Sequence, residues 1–376
     1  MESATDLVEY NYEVLASITG GFSEENFIGN TLYGKVFRGK IQQDSETQEV
    51  VVKIWVDSVS TRRSTAPELQ KSRFQNEIKL LANSDLKGHP NLVKLIGFCC
   101  ETEWLGVVYE LKPLDTLEKL ILHDDFTWVA RIKVALEFAC LLECLHDRQL
   151  LHRSIGAAHI MIDQGFSPRL FDFAMLVGGG FGEIPSREYG IGCHGYVDPV
   201  IGLTGAWSDK SDVFSYGVIL LGLIAKRVFD LKKAKDLGEL NYVHIWAWME
   251  YGEPSKKPRS KYFFGTEKPR SEIFFGTDTG KPQSKWGMFK KQKESQPNKS
   301  LVDKSLESDE YFDAGDGVKI TKLAMRCVDY NPEKRPMMKE VVRCLRELNV
   351  VKKSSRVVVP KMSVGSSGGD GILLHE

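Results

Sequence analysis

Apolar residues recur with two different periods along this chain of 376 residues. β-Branched and apolar runs dominate residues 28–111, as in "KVFRGKI", "EVVVKIWV" and "LGVVYEL", and this pattern predicts strands. A single helix is predicted among them over "ELQKSRFQNEIKLLANS", where Phe74, Ile78 and Leu81 share one face. For this part of the chain we therefore expect a small antiparallel sheet that carries one helix.

The pattern becomes helical in the second part of the chain. Between residues 127 and 148, apolar residues recur at the spacing of a helix face that packs on a core: Ile132, Ala135, Ala139 and Leu142. The stretch "SDKSDVFSYGVILLGLIAK", from Ser208 to Lys226, begins with a candidate N-cap serine and is apolar on all sides. A helix of this kind belongs at the centre of a larger helical lobe, so we predict an α+β fold.

Composition and charge exclude several classes of protein. The formal net charge is -1 at pH 7, so no overall field favours binding to nucleic acid or to an anionic membrane. No apolar run reaches the roughly 18 residues that a membrane span needs, and the start "MESATDLVEY" lacks the pattern of a signal peptide or a myristoylation site. The 7 cysteines lack a second pair at zinc spacing, which indicates reduced thiols in a cytoplasmic protein.

Two segments differ in character from the rest. Residues 251–300 contain 12 Lys or Arg against 5 Asp or Glu and are rich in Gly, Pro and Ser. Within them "KPRSKYFFGTE" is followed at once by "KPRSEIFFGTD", so we expect a flexible basic insertion with an 11-residue repeat. Its Phe-Phe doublets are candidates for docking a partner, and a drifting duplication in a loop is an equally good interpretation. The tail, residues 350–376, is predicted to be disordered.

Short stretches with candidate chemistry follow one another in a particular order: "GNTLYGKV" with Gly29, Gly34 and Val36, "VVVKIW" with Lys53, "FQNEIKLL" with Glu77, "LLHRSIGAAHIMID" over residues 150–163, "LFDFAML" with Asp172, and "EKRPMM" with Arg335. Over residues 12–345 this order resembles a plant receptor-like kinase domain. The resemblance implies a bilobal protein-kinase fold, with a small antiparallel-sheet N-lobe at residues 21–111 and a larger helical C-lobe at residues 112–349. Residues 1–20 would form an N-terminal extension.

The resemblance assigns several retained residues to an ATP site. Lys53 matches the strand lysine that binds the α- and β-phosphates, Glu77 its helix partner, and Asp172 the aspartate that binds Mg²⁺. Two interpretations stay open for these residues. They form either an assembled nucleotide site with weak ATP and Mg²⁺ binding or a structural ion pair with nothing bound.

The loops around that site have lost glycines. Gly29, Gly34 and Val36 match the family's Gly-rich loop, but Thr31 replaces the middle glycine. A β-branched residue stiffens the turn and adds bulk where a phosphate should bind. Ala174 similarly replaces the glycine of the Asp-Phe-Gly motif, which narrows the conformations open to that hinge.

The catalytic loop has lost its working groups, because the family pattern there is H-R-D-L-x-x-x-N. Ser154 occupies the position of the catalytic aspartate, Gly156 that of a lysine that steadies the transferred phosphoryl group, and His159 that of an Asn ligand to Mg²⁺. A serine hydroxyl cannot accept the substrate proton near neutral pH, and Mg²⁺ prefers oxygen to imidazole nitrogen. His159 is predicted to be core-packed or solvated rather than a substitute base. A positioned base contributes roughly 10²–10⁴-fold in rate, so phosphoryl transfer is not expected.

The segment that switches such kinases is altered as well. Cys193 replaces its Thr, and Val200 replaces the Glu that normally pairs with the arginine at position 335. A buried unpaired charge is costly, so we expect Arg335 to find another acceptor or to reach water. Ser186 and Tyr189 are the hydroxylated candidates for a phosphate in this segment.

These losses are similar to those of the ZED-related pseudokinases, in the wall-associated-kinase-like branch of the receptor-like kinases. The resemblance implies a cytoplasmic adaptor in plant innate immunity that binds the leucine-rich repeats of a coiled-coil NLR receptor. It would sense bacterial effectors directly or through an effector-modified receptor-like cytoplasmic kinase, leading to the hypersensitive response. The plasma membrane would be reached only through partners. Two alternatives stay open: a weakly active, ATP-binding Ser/Thr kinase, and an allosteric pseudokinase that activates a partner kinase.

Overall fold

Strands from the N-terminal part of the chain form a single six-stranded sheet. A computed structural model of the protein describes residues 7–43, 46–55, 67–82, 86, 88–178, 192–233, 236, 238–252 and 299–354. The strands are β1 (Val8–Glu9), β2 (Phe27–Asn30), β3 (Gly34–Gln43), β4 (Glu46–Trp55), β5 (Lys94–Cys100) and β6 (Leu105–Glu110). Their order is β1-β5-β6-β4-β3-β2, and all neighbours are antiparallel except β1 and β5, which are parallel. The predicted antiparallel sheet is therefore present, with one parallel strand added at its edge.

The predicted helix packs on one face of this sheet. Helix α2 spans Pro67–Leu81, and its Phe74 and Leu81 are buried, whereas Ile78 is partly buried. The Phe74 ring meets the edge of the Trp55 ring, with 5.4 Å between the ring centroids. The face predicted from the helical spacing is therefore the one that packs toward the core.

The opposite face of the sheet is covered by a segment that the sequence placed outside the lobe. Helix α1 (Tyr12–Ile18) inserts Leu15, which is 1% exposed, among apolar side chains of β4 and β6. Tyr12 stacks on Trp104 at 4.1 Å between ring centroids. Residues 8–18 therefore belong to the N-lobe, although we predicted them within an extension of residues 1–20. A two-residue strand and a seven-residue helix are too short to give a clear period in the sequence.

Attachment of this N-terminal segment depends on Gly97 in β5. A Cβ atom at this position would lie 2.3 Å from the Tyr10 ring and 2.6 Å from the Val8 carbonyl oxygen. We expect Gly97→Ala to displace β1 and to lower the free energy of unfolding by about 1–3 kcal/mol, because overpacking strains both backbones. Urea unfolding would measure the change. Gly202→Ala is the matched control, since no atom lies within 4 Å of a Cβ there; equal midpoints for the two variants would contradict the expectation.

The remaining part of the chain forms a helical lobe, as predicted. Its helices are α3 (Leu117–Leu120), α4 (Trp128–Asp147), α5 (Ile201–Thr204), α6 (Asp209–Ala225), α7 (Val243–Tyr251), α8 (Ala314–Cys327), α9 (Met338–Arg346) and α10 (Asn349–Lys353). Thr127 caps α4 by accepting the Ala130 N–H over 3.3 Å, and Ser208 with Ser211 forms a capping box at the start of α6. Helix α6 is buried along nearly its whole length, which confirms its predicted central place.

A small second sheet positions the loops that carry the candidate chemistry. It consists of β7 (Pro113–Thr116), β8 (Ile160–Asp163) and β9 (Pro168–Leu170), in that order. Ile160 at the start of β8 pairs with Leu170 at the end of β9. This register brings His159, just before β8, close to Asp172, just after β9.

Two predicted segments fall mostly outside the described residues. They are the basic insertion, of which only residues 251, 252, 299 and 300 are described, and the tail from residue 355 onward. The C-lobe extends past the predicted boundary at residue 349, because α10 includes residue 350 and the Val350 side chain is buried. Within the described ranges, no helix is both long enough and apolar enough to span a bilayer.

Candidate active site

A buried ion-pair network joins the two lobes. Lys53 on β4 donates to Glu77 on α2 over 2.7 Å and to Asp172, just after β9, over 2.5 Å. All three side chains are shielded from solvent. The structure thus brings together three candidate residues that are spread over 119 positions of the sequence.

The network keeps Lys53 charged despite its burial. Burial alone would lower the pKa of Lys53, but the carboxylates of Asp172 and Glu77 raise it above the usual value. Burial likewise opposes ionisation of Asp172, but the Lys53 ammonium outweighs it and lowers the pKa of that carboxyl group. For Glu77, burial prevails over the neighbouring ammonium and raises the pKa. One ammonium group is therefore shared between two carboxyl groups of different acidity.

Two tyrosines complete this region, and sequence analysis did not single them out. Tyr109 on β6 donates its hydroxyl to Glu77. Tyr33, in the Gly-rich loop, is 5% exposed, and its hydroxyl lies 3.2 Å from the Met175 sulfur while the Arg73 guanidinium lies 3.9 Å from its ring centroid. The tip of the loop is thus folded inward between the lobes. In the sequence Tyr109 lies in an apolar strand run, which predicts an ordinary core position, and Tyr33 lies between Leu32 and Gly34 in the Gly-rich loop, where no pattern marks it.

The Gly-rich loop keeps its turn although Thr31 has replaced a glycine. The Thr31 N–H donates to the Gly34 carbonyl over 2.8 Å, which closes the turn between β2 and β3. Gly34 is needed for strand approach, since a Cβ there would lie 2.3 Å from the Ile54 carbonyl oxygen. Gly29 has open space around it, and Val36 is buried. The turn is therefore retained, and the Thr31 side chain occupies space that the family's glycine leaves free.

Asp212 at the start of α6 anchors the catalytic loop. Its two carboxylate oxygens accept the backbone N–H groups of His152 over 2.8 Å and Arg153 over 2.9 Å. Burial opposes ionisation of Asp212, but the neighbouring His146, 3.3 Å away, and the Arg153 N–H lower its pKa. Asp212 thus holds the catalytic loop in place although the loop's residues at positions 154, 156 and 159 differ from those of the family.

Ser154 and Gly156 are covered by Cys193 and Tyr196, which lie in the segment that begins at residue 192. Ser154 is 1% exposed, and its hydroxyl oxygen lies 3.4 Å from the Cys193 sulfur. A Cβ atom on Gly156 would lie 2.8 Å from the Cys193 Cβ and 3.4 Å from the Tyr196 ring. The space that a lysine at position 156 would need is therefore filled by Cys193 and Tyr196.

His159 is core-packed and points toward the ion-pair network. The residue is 5% exposed, and its Nδ1 lies 3.1 Å from the Ser154 carbonyl oxygen and 3.2 Å from Asp172 Oδ2. Burial lowers the pKa of His159, although the Asp172 charge opposes this shift. His159 Nδ1 also lies 3.5 Å from the Ser154 hydroxyl oxygen, but in the family's pattern its position is that of the metal-binding Asn and not that of the base.

The residues around Asp172 do not fit Mg²⁺. This ion requires near-octahedral oxygen ligands and usually takes them from carboxylates, water and phosphates. The side chain nearest to Asp172 Oδ2 at the family's second ligand position is an imidazole, whose donor is nitrogen. We therefore assign no Mg²⁺-dependent step to this site.

Arg335 finds a new carboxylate partner. Its guanidinium binds Asp198 through two hydrogen bonds of 2.5 and 3.0 Å, and both side chains are at most 2% exposed. The predicted second acceptor is therefore Asp198, two residues before the Val200 that replaced the family's Glu. The signal in the sequence was the acidic residue in "YVDPV", which we had not assigned a role.

Arg153, which follows His152 in the catalytic loop, stacks on a tryptophan. It is 3% exposed, and its guanidinium lies 4.5 Å from the Trp207 ring centroid. Ser186 and Tyr189, the candidates for phosphorylation, lie outside the described residues. Ala174, which replaced the hinge glycine, is buried next to Phe173.

Comparison with known proteins agrees with this architecture. A family model described as protein tyrosine and serine/threonine kinase matches residues 22–244. Similar proteins of Arabidopsis thaliana include probable serine/threonine-protein kinase PBL17, 28% identical over 90% of this chain, and PBL2, 34% identical over 60% of it. The L-type lectin-domain containing receptor kinase VIII.1 is 28% identical over 96% of the chain. The match spans 66%, 53% and 43% of these relatives' own lengths, respectively. Because the family model matches more than half of the chain, the chain belongs to the protein tyrosine and serine/threonine kinase family.

Proposed function

We propose that this member of the kinase family is a pseudokinase that acts by binding partners rather than by transferring phosphate. The observation that carries the proposal is the state of position 154. Ser154 has no basic form near neutral pH, is 1% exposed and is covered by Cys193. A substrate hydroxyl would therefore find neither a base nor access at the position where the family removes its proton.

The rest of the molecule supports a role for its surfaces. The contacts that build the lobes are intact, including the Asp212 anchor of the catalytic loop and the Arg335–Asp198 pair. The residues that differ from the family's catalytic residues are concentrated at positions 154, 156 and 159, where phosphoryl transfer would occur. A fold kept in this way without its chemistry serves through the surfaces that it presents.

The resemblance to ZED-related pseudokinases gives the proposal its biological content. We propose a cytoplasmic adaptor in plant innate immunity that links a coiled-coil NLR receptor to bacterial effectors or to receptor-like cytoplasmic kinases modified by them. The receptor's leucine-rich repeats would be the first partner. Any ATP or Mg²⁺ binding would be weak and would have no part in the adaptor's action.

Partner capture by variants tests this adaptor role. Lys53→Met and Asp172→Asn should both leave capture of the NLR leucine-rich repeats from plant tissue unchanged, because neither residue reaches the surface. Lys53→Met leaves two buried carboxyl groups without their ammonium, so the isosteric Asp172→Asn variant guards against simple unfolding. Loss of capture in a variant that keeps the wild-type thermal unfolding midpoint would contradict the adaptor proposal.

One observation favours a second function, that of a weakly active Ser/Thr kinase. The Lys53–Glu77 pair is assembled at 2.7 Å, as ATP-binding members of the family require. This alternative predicts a rise in the thermal unfolding midpoint with millimolar ATP, followed by slow autophosphorylation. The absence of both would leave the pseudokinase as the function of the site.

A further inference from the structure

Helices α8, α9 and α10 line a cavity of about 400 Å³ that shares no residue with the candidate active site. Its apolar part consists of Ile320 and Leu323 on α8 and Leu348 just before α10, and all three residues are buried. Asp316 holds α10 against α8, because its carboxylate accepts the Val350 N–H over 2.9 Å. The shape of the cavity is therefore set by packed helices.

The charged side chains that line this cavity are mostly cationic. One of them is acidic, and four are basic: Lys319, Lys322 and Arg326 on α8, and Lys352 on α10. Residues 314–353 contain 10 Lys or Arg against 5 Asp or Glu, whereas the whole chain has a formal net charge of -1. This part of the C-lobe therefore carries a local positive charge that the net charge of the chain conceals.

Two of the four cations have no carboxylate partner. Lys322 and Lys352 form no ion pair within the part of the chain that the structure describes. The acidic residue of the cavity, Glu347, lies 3.4 Å from Arg343, which does not line the cavity. Glu347 is therefore engaged by a cation outside the cavity, and the two lysines remain available to a ligand.

The three cations on α8 also repel one another. They lie three and four residues apart, a spacing at which like charges destabilise a helix. Lys319 lies 3.6 Å from Asp316 but is 55% exposed. Arg326 binds Glu340 over 2.7 Å but is 48% exposed. Both side chains can therefore still meet an anion from solvent, and a bound anion would offset the repulsion along α8.

The lining of the cavity indicates the chemistry of that anion. None of the described residues that line it is aromatic, so a nucleotide base would find no ring on which to stack. A carbon ring that carries several phosphates would place its C–H groups on the apolar part and its phosphates near the cations, where Arg326 can bind phosphate in a bidentate manner. We propose that this cavity binds a polyphosphorylated inositol ring, either as a free inositol phosphate or as the headgroup of a lipid.

Titration of the purified full chain with two probes tests the site and identifies the source of the ring. Calorimetry measures binding of inositol hexakisphosphate, and sedimentation measures binding to phosphatidylcholine vesicles with or without a phosphatidylinositol bisphosphate. Replacing both unpaired lysines, Lys322→Gln with Lys352→Gln, should weaken binding about 30-fold, the loss expected for two cations beside an anionic group. Lys304→Gln with Lys334→Gln is the matched control, since it changes the net charge equally at two exposed positions of the same lobe that do not line the cavity. This control should bind like the wild type.

A native cysteine reports whether the ligand occupies the cavity itself. Cys344 lines the cavity and is partly exposed, so a saturating concentration of inositol hexakisphosphate should slow its alkylation by iodoacetamide. Cys100 on β5 is also partly exposed and should react at an unchanged rate. Mass spectrometry of the alkylated chain measures both rates in one sample.

Binding of either probe that the cavity variant loses and the control keeps supports the proposal, and the probe that binds identifies the source. No binding of either probe, equal weakening in the two double variants, or unchanged alkylation of Cys344 at saturation would overturn it. These measurements involve neither phosphoryl transfer nor capture of leucine-rich repeats. The proposal goes beyond the adaptor function and fails or stands separately from it.

Discussion

The combination of Ser154→Asp, His159→Asn and Cys193→Gly should raise phosphoryl transfer by about 10²–10⁴-fold over the wild-type chain, the range that a positioned base contributes. Aspartate restores a proton acceptor, and asparagine restores an oxygen ligand for Mg²⁺. The glycine is needed because the Cys193 sulfur lies 3.4 Å from the Ser154 hydroxyl, where the longer aspartate side chain would extend. Transfer of radiolabelled phosphate from ATP to the chain itself and to a Ser/Thr peptide measures the gain.

The matched control for this gain replaces Ser154 with Asn in the same background. Asparagine has nearly the shape of aspartate but cannot accept the proton, so its rate should stay at the wild-type level. An equal gain in the aspartate and asparagine versions would show that removal of Cys193, rather than addition of a base, raises the rate. No gain in either version would contradict the assignment of position 154 as the main chemical loss.

Removal of the Asp198 carboxylate should cause the largest loss of stability among single substitutions in the C-lobe ion pairs. Asp198→Ala leaves Arg335 buried without a counter-charge, which costs about 3–5 kcal/mol in the free energy of unfolding. The side chain of Arg335 is fully shielded, so water cannot replace the lost acceptor. Urea unfolding of the purified variant would measure this loss.

An exposed ion pair on the same lobe is the control for that prediction. Arg326 and Glu340 lie 2.7 Å apart with side chains 48% and 35% exposed. Glu340→Ala should cost about 1 kcal/mol or less, as exposed pairs usually do. The double replacement Asp198→Leu with Arg335→Met should cost much less than Asp198→Ala, because no unpaired charge remains. Equal losses for Asp198→Ala and Glu340→Ala would contradict this account.

The fold could be predicted from the sequence wherever a long apolar pattern repeats. The central helix α6 was predicted between Ser208 and Lys226 and spans Asp209–Ala225, because a capping serine marks its start and the apolar run ends at its last residue. The order of the motifs, through the resemblance to kinases, likewise predicted the two lobes and Glu77 as the partner of Lys53, but not the direct pair between Lys53 and Asp172. An apolar run can be detected within one stretch of the chain, and the motifs can be detected because they follow one another in the order known for the family.

Other features depend on contacts that leave no local pattern. His159 meets Asp172 only because of the register between β8 and β9, and Cys193 covers Gly156 from a distant segment. The Asp198 carboxylate reaches Arg335 across 137 positions of sequence. The residue type at each of these positions is compatible with several roles, and only the packing of the folded chain determines which role it has. The N-terminal helix α1 was missed for a different reason, because seven residues give too few turns to define an apolar face.

The most direct test of the account is the rate at which the purified full chain transfers phosphate from ATP. Working protein kinases turn over at about 1–100 s⁻¹. For this chain we predict a rate on the order of 0.1 s⁻¹ or less, because the base at position 154 is absent. Transfer within the range of working kinases, abolished when Asp172 is changed to Asn, would contradict the central claim.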